Sequence, residues 1–190
     1  MNRRPDQFLL IVTLLPLCWL SMMAVHEGGH FLCARLTNGR VTSVVLHPLT
    51  ISRTDVMPNP QPLIVCWGGP ILGCAAPLIL WEICRTLIAR LAFLMRFFAG
   101  FCLIANGAYL GVGSFEGIGD AGELLRLGMS VPMLWGFGLL AVSAGLLVWH
   151  RTGPDFGFGH HAKAIDPAAP GLTAMLLVII VAMELLFGHP

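Results

Sequence analysis

His26, Glu27 and His30 stand within five residues of one another, in the order HEGGH, directly after an apolar run from Gln7 to Val25. On a helix, positions i and i+4 share a face, so both imidazoles reach one metal ion. Glu27 follows His26 by one residue, about 100° around the helix. Its carboxylate then falls beside a water on the metal and not on the metal itself. Zinc lowers the pKa of such a water, and a carboxylate so placed takes its proton as it attacks a carbonyl. The spacing predicts one Zn2+ ion held by His26 and His30, with Glu27 as the catalytic general base. Ionisable groups this close to an apolar helix are costly and mark functional sites. The bland alternative is a structural cluster whose polar groups satisfy one another. Gly28 and Gly29 fit two readings equally, space beside the metal or close packing against another helix.

Catalytic zinc takes three protein ligands and keeps one position open. Only ten residues of the chain are acidic, and three of them, Glu116, Asp120 and Glu123, cluster in the segment SFEGIGDAGELL. Asp120 is the preferred third ligand. It competes with a capping box, Asp120 as N-cap and Glu123 at N3. Glu116 is the other candidate ligand, because Glu116 to Asp120 spells ExxxD, although Gly117 and Gly119 argue against a helix there. Glu184 lies inside the last apolar run with no assigned partner.

These residues need elements to hold them, and composition says which. The chain has 190 residues, of which 56% are hydrophobic and 11% charged. Soluble domains carry about 25% charge, so too few polar side chains are present to cover a soluble surface. The expectation is one domain over residues 1–190, an all-α polytopic membrane protein in contact with the lipid bilayer. Five transmembrane helices are predicted, over about 8–36, 62–84, 91–113, 129–149 and 171–187, by the roughly 20 apolar residues a crossing needs. Arg3 and Arg4 precede the first of them as in a signal peptide. That run is too long for a typical signal and has no A-x-A-like site after it, so a retained helix is expected.

Between the first two helices, RVTSVVLHPLTISRTDV is rich in β-branched residues. It predicts a short β hairpin or re-entrant element, with Asn38-Gly39 ending the helix before it. The second helix leads away and the third returns, so the Glu116–Glu123 cluster emerges on the same side as His26 and His30.

Other features exclude functions. A net charge of +1 without a basic patch argues against a nucleic-acid partner. Six cysteines with no CxxC pair read as small buried hydrophobes, not as disulfides or a cysteine zinc site. His160 and His161 lie in a segment rich in proline and glycine and read as a solvated loop pair.

HEGGH at the end of an apolar helix resembles the site-2 protease family of intramembrane zinc metalloproteases. HFLCARLTNGRVTSVVLHP is similar to the stretch that leads from that family's motif into a membrane-associated β element. Gly68-Gly69-Pro70 resembles its Gly-Pro motif in the next helix. GDAGELL resembles its aspartate-glycine motif, whose aspartate is the third zinc ligand; that implies Asp120. The resemblance covers about residues 8–126. Three departures stand out. Ala121 separates Asp120 from Gly122. Tyr109 stands where a proline often follows the family's asparagine, so Asn106 reads equally as a substrate-strand anchor and as an interhelical hydrogen bond. And 190 residues leave no space for the PDZ or CBS domains of larger members.

What the resemblance implies is a zinc metalloendopeptidase in a bacterial cytoplasmic membrane. It would cleave transmembrane or juxtamembrane segments of a membrane-protein substrate, with the β segment near Val41–Ile51 pairing the unwound strand. Two alternatives differ in kind. One is a membrane-embedded zincin resembling CAAX-type proteases, with Glu116 as third ligand. The other is a non-catalytic metal-binding or transport protein, in which Glu27 has no evident task.

Overall fold

The apolar run before HEGGH continues through it as one helix, α1, from Arg4 to Leu36. The structure is a computed structural model that describes residues 4–188; Arg3, half of the N-terminal charge pair, lies outside them. Pro5 falls in the first turn of α1, where its missing N–H is no loss. At the other end, Asn38 takes a left-handed backbone (φ 59) and the Gly39 N–H donates to the Ala34 carbonyl at 2.7 Å. That satisfies a carbonyl the helix leaves open, and Asn38-Gly39 is the stop the sequence predicts.

The β-branched segment forms a hairpin. β1 (Val41–Val45) pairs antiparallel with β2 (Arg53–Val56), with Val44 opposite Thr54 and an irregularity between Val41 and Ser43. Then follow α2 (Pro62–Leu87), α3 (Ala92–Glu116), α4 (Gly119–Arg126), α5 (Val131–Trp149) and α6 (Ala168–Phe187). Among the described residues five helices, α1, α2, α3 with the turn before it, α5 and α6, are long and apolar enough to cross a membrane.

Helix ends shift from the predicted bounds for local reasons. α3 runs on to Glu116 because the glycine that stops it is Gly117, at φ 64, with its N–H on the Gly113 carbonyl. α6 starts at Ala168, ahead of Pro170, because proline is tolerated in a first turn.

α1 packs on α2 and α6, while α3 packs on α2 and α5. Two crossings bring backbones together. A Cβ on Gly29 of α1 would lie under 3.0 Å from the backbone of Gly68 in α2. A Cβ on Gly107 of α3 would lie 2.8 Å from Ala141 and 3.0 Å from the Gly138 carbonyl in α5. Small residues at such crossings are how apolar helices gain contact where lipid removes the hydrophobic drive. At one end of the bundle Arg96 ties α3 to α5, donating to the carbonyls of Val148 and His150 at 2.8 Å each. At the opposite end lie the close of α1, the hairpin, the start of α2 and α4. α4 is held by the buried set Cys66, Leu110, Ala121, Leu124 and Leu134.

Candidate metal centre

His26 and His30 sit one turn apart on α1, and both are buried. Each ring is held by its Nδ1. The His26 Nδ1 lies 2.6 Å from Asn106 Oδ1 on α3, and the His30 Nδ1 lies 2.8 Å from the Val65 carbonyl on α2. A carbonyl only accepts, so the His30 Nδ1 donates. The Asn106 Nδ2 donates to the Cys102 carbonyl at 2.8 Å, which leaves its Oδ1 as the acceptor facing His26. In the neutral rings the proton is therefore committed at Nδ1, and both Nε2 atoms present a lone pair.

Those Nε2 atoms lie 3.1 Å apart. Asp120 Oδ2 lies 2.8 Å from the His26 Nε2 and 3.3 Å from the His30 Nε2. Among the described residues this is the group of His, Cys, Asp or Glu side chains whose ligand atoms gather closely enough to hold a metal ion. Two lone pairs and a carboxylate oxygen repel one another unless a cation or a proton sits between them. Zinc with bonds of about 2.0–2.1 Å in a tetrahedron spaces its ligands about 3.3 Å apart. The observed separations of 2.8, 3.1 and 3.3 Å lie at or just under that spacing, and the donor set of two imidazoles and one carboxylate suits zinc.

α4 delivers Asp120. Gly117 and Gly119, with φ of 64 and 55, turn the chain sharply between α3 and α4. The Asp120 N–H donates to the Tyr109 hydroxyl at 3.1 Å, and the Tyr109 ring meets His26 edge-on at 5.7 Å. Burial works to raise the Asp120 carboxyl. With a proton in place of a cation between the three groups, hydrogen bonds from the histidine Nε2 atoms, and their charge, outweigh it and hold the carboxyl down at about 2. The competing capping box is not formed: α4 starts at Gly119, its N-cap is Ile118 without a side-chain cap, and Glu123 pairs with Arg126. Asp120 is thus free to face the histidines.

Glu116, the alternative ligand, is the exposed last residue of α3 and is not in the group. Glycine does not keep it out of a helix, as the sequence suggests; the glycines only end that helix behind it.

Glu27 is 4% exposed, and its Oε2 accepts from the Thr54 hydroxyl of β2 at 2.8 Å. With His26, His30 and Asp120 it lines a cavity of about 730 Å3, walled on the other side by β2 and the flanking residues Ile51, Ser52 and Met57. β2, more than the Val41–Ile51 stretch, faces the site; of β1 only Thr42 reaches it.

The two glycines of HEGGH divide their tasks. Gly29 is the packing residue against Gly68, whereas a Cβ on Gly28 meets nothing within 4 Å. The space beside the imidazoles comes from Gly69, where a Cβ would lie 2.7 Å from the His26 Nε2 and closer still to His30. Asn106 makes the interhelical hydrogen bond, and its partner is His26. Sequence reasoning misses the parts that Tyr109 and Thr54 play. Tyr109 is the chain's one tyrosine and shares a helix face with Asn106, three residues before it, which is the signal that could have found it. Thr54 carries no local signal, since its partner is 27 residues away. His160 and His161 are exposed in the loop before α6.

No family model, curated protein or solved structure matches this chain.

Proposed function

We propose that this chain is an intramembrane zinc metalloendopeptidase, a multi-pass protein of a bacterial cytoplasmic membrane. It would cleave transmembrane or juxtamembrane segments of other membrane proteins. One observation carries the reading: the His26 Nε2, His30 Nε2 and Asp120 Oδ2 converge within 3.3 Å of one another in a cavity that also holds the Glu27 carboxylate. Five helices of spanning length and the resemblance of HEGGH, Gly68-Gly69-Pro70 and GDAGELL to site-2 proteases support it.

His26, His30 and Asp120 would hold the ion. Zinc, when bound there, supplies Lewis acidity to a water and to the scissile carbonyl. Every other task falls to the chain. Asn106 and the Val65 carbonyl hold the proton of each neutral ring at Nδ1 and so make Nε2 the ligand atom. Glu27 takes a proton from the attacking water and hands it to the leaving amine. Thr54 fixes which way that carboxylate points.

A helical substrate hides its carbonyls in i to i−4 hydrogen bonds, so the segment must unwind before it is cut. The unwound strand would pair along β2, whose residues wall the cavity and whose outer edge has no strand beside it among the described residues. Asn59 Oδ1, buried without a partner in the same wall, offers an acceptor to a substrate N–H.

A purely metal-holding or transport role gives Glu27 no task, although the fold buries it and hydrogen-bonds it beside the ligands. The test is cleavage of co-expressed single-span membrane proteins by wild type and Glu27→Gln. The expectation is loss of cleavage with zinc retained. Cleavage at the wild-type rate by Glu27→Gln sinks the mechanism.

A further inference from the structure

Glu184 has no part in the metal centre, yet it is only 5% exposed and neither carboxylate oxygen has a hydrogen-bond partner. A buried carboxyl without partners is costly, so its surroundings bear on what it does. It lines a separate cavity of about 810 Å3 bounded by α1, α6, β1 and the start of α3. The wall runs along α6 from Leu172 to Phe187, a length of about 22 Å at the helical rise. Apart from Ser21 and Thr173 the side chains in this wall are apolar, and Glu184 is its one acid, at the end near the hairpin. Thr173 is already bonded to Thr13 at 2.7 Å. His47 is the titratable group that acts on Glu184, but it lies beyond ion-pair distance, and its Nδ1 accepts from the Leu49 N–H.

We infer that this groove holds a bilayer lipid with a primary-ammonium headgroup. The ammonium would donate to Glu184, with the acyl chain lying along α6 toward Leu172.

Three features favour this occupant. The first is the polarity profile. The groove is apolar along its length and carries an acid at one end, within three residues of the end of α6, and a lipid has the same profile. The second is volume. The groove is open along one side, and its 810 Å3 is room for a flexible chain laid along α6, whereas a helix about 10–12 Å wide and 22 Å long fills roughly 2,000 Å3 and would lie only partly within it. The third is the bonding need. Two carboxylate oxygens that lack donors call for N–H groups, and charge complementarity calls for a cation. A primary ammonium brings both, whereas a trimethylated one brings charge without donors.

The groove and the metal centre meet different stretches of the hairpin. Val44 and Leu46 line the groove, and Thr42 and β2 line the metal cavity. The inference does not depend on the proposed protease activity.

The test uses the full chain, extracted from vesicles containing equal amounts of phosphatidylethanolamine, phosphatidylcholine and phosphatidylglycerol with matched acyl chains. Retained lipid is counted by native mass spectrometry. Wild type is expected to retain phosphatidylethanolamine over the other two by about tenfold, the ratio one charge-assisted hydrogen bond gives. Glu184→Leu should bring the three close to parity while thermal stability does not fall, because an unpartnered carboxyl has been removed. Leu176→Trp, which narrows the groove, should lower phosphatidylethanolamine retention with Glu184 intact.

A second measurement needs no variant. Retention by wild type should fall as the ethanolamine nitrogen is methylated once, twice and three times. Equal retention of the three lipids by wild type, a preference that survives Glu184→Leu, or indifference to N-methylation overturns the inference. A protein segment found in the groove in place of lipid overturns it as well.

Discussion

The side-chain carbonyl of Asn106 lies 2.6 Å from Nδ1 of His26, and its amide nitrogen is spent on the Cys102 carbonyl of its own helix. The second bond fixes the first. An asparagine whose Nδ2 is engaged can only accept at Oδ1, so His26 must carry its proton at Nδ1. A residue on α3 thereby sets the tautomer of a candidate ligand on α1, and Gly73 of α2 leaves the space, since a Cβ there would lie 2.7 Å from the Asn106 amide.

Replacing Asn106 by alanine removes the acceptor and leaves an imidazole N–H buried. Partners of metal-ligating histidines are worth about 10–100-fold in metal affinity. Zinc affinity of Asn106→Ala, measured by chelator competition, should fall by that much, while Asn106→Asp, which keeps an acceptor, should lose less. Wild-type affinity in Asn106→Ala would remove Asn106 from the site.

Glycines near the metal centre separate cleanly by what surrounds them. Gly69→Ala puts a methyl group under 3.0 Å from both imidazoles. It should abolish zinc binding although no ligand is changed. Gly28→Ala, inside the motif but with open space around it, should bind zinc as wild type does. It should also gain up to about 1 kcal/mol from helix propensity. Equal zinc content in the two variants would show that a methyl group at position 69 does not crowd the imidazoles.

Those glycines also show what is legible in the sequence. Periodicity and hydropathy carry the helices, because the requirement for about 20 apolar residues is local; the HEGGH register is equally local. The choice between Asp120 and Glu116 turns on one left-handed residue, Gly117, which ends α3 after Glu116 and swings Asp120 back over the histidines. A capping box is a local pattern too, and here the tertiary partners of Asp120 override it. The roles of Gly69 and Thr54 are invisible in the sequence because they lie in atoms 39 and 27 residues away. Glu184 stands out in the sequence as an acid in a span, but only the structure shows a groove beside it.

The hairpin at the cavity mouth carries its own titration. Ser43 donates to Asp55 Oδ2 at 2.5 Å and Arg53 approaches it at 3.3 Å. The Ser43 hydroxyl, and Arg53 after it, hold the Asp55 carboxyl below its usual 3.8. A carboxyl depressed in the folded state stabilises above the unfolded value, and that contribution is lost as pH falls through the folded one. The paired hairpin should therefore persist through pH 4 and loosen only in stronger acid. A carbon-13 titration of Asp55 should give a value under 3.8 in wild type and a higher one in Ser43→Ala. No difference between the two would show that the serine bond is absent in solution.

Asp120 and Glu116 give the most direct test of the metal centre. Only Asp120 reaches the histidines, with its Oδ2 within 3.3 Å of both Nε2 atoms, whereas Glu116 is exposed at the end of α3. Asp120→Ala should purify with little or no zinc, and Glu116→Ala with one ion per chain, by elemental analysis of the two proteins beside wild type. Losing one of three ligands also leaves His26 and His30 facing each other at 3.1 Å without the carboxylate, so cadmium or cobalt should not restore occupancy in Asp120→Ala at stoichiometric metal. Zinc lost from Glu116→Ala and kept in Asp120→Ala would reverse the assignment and favour the zincin layout with Glu116 as ligand.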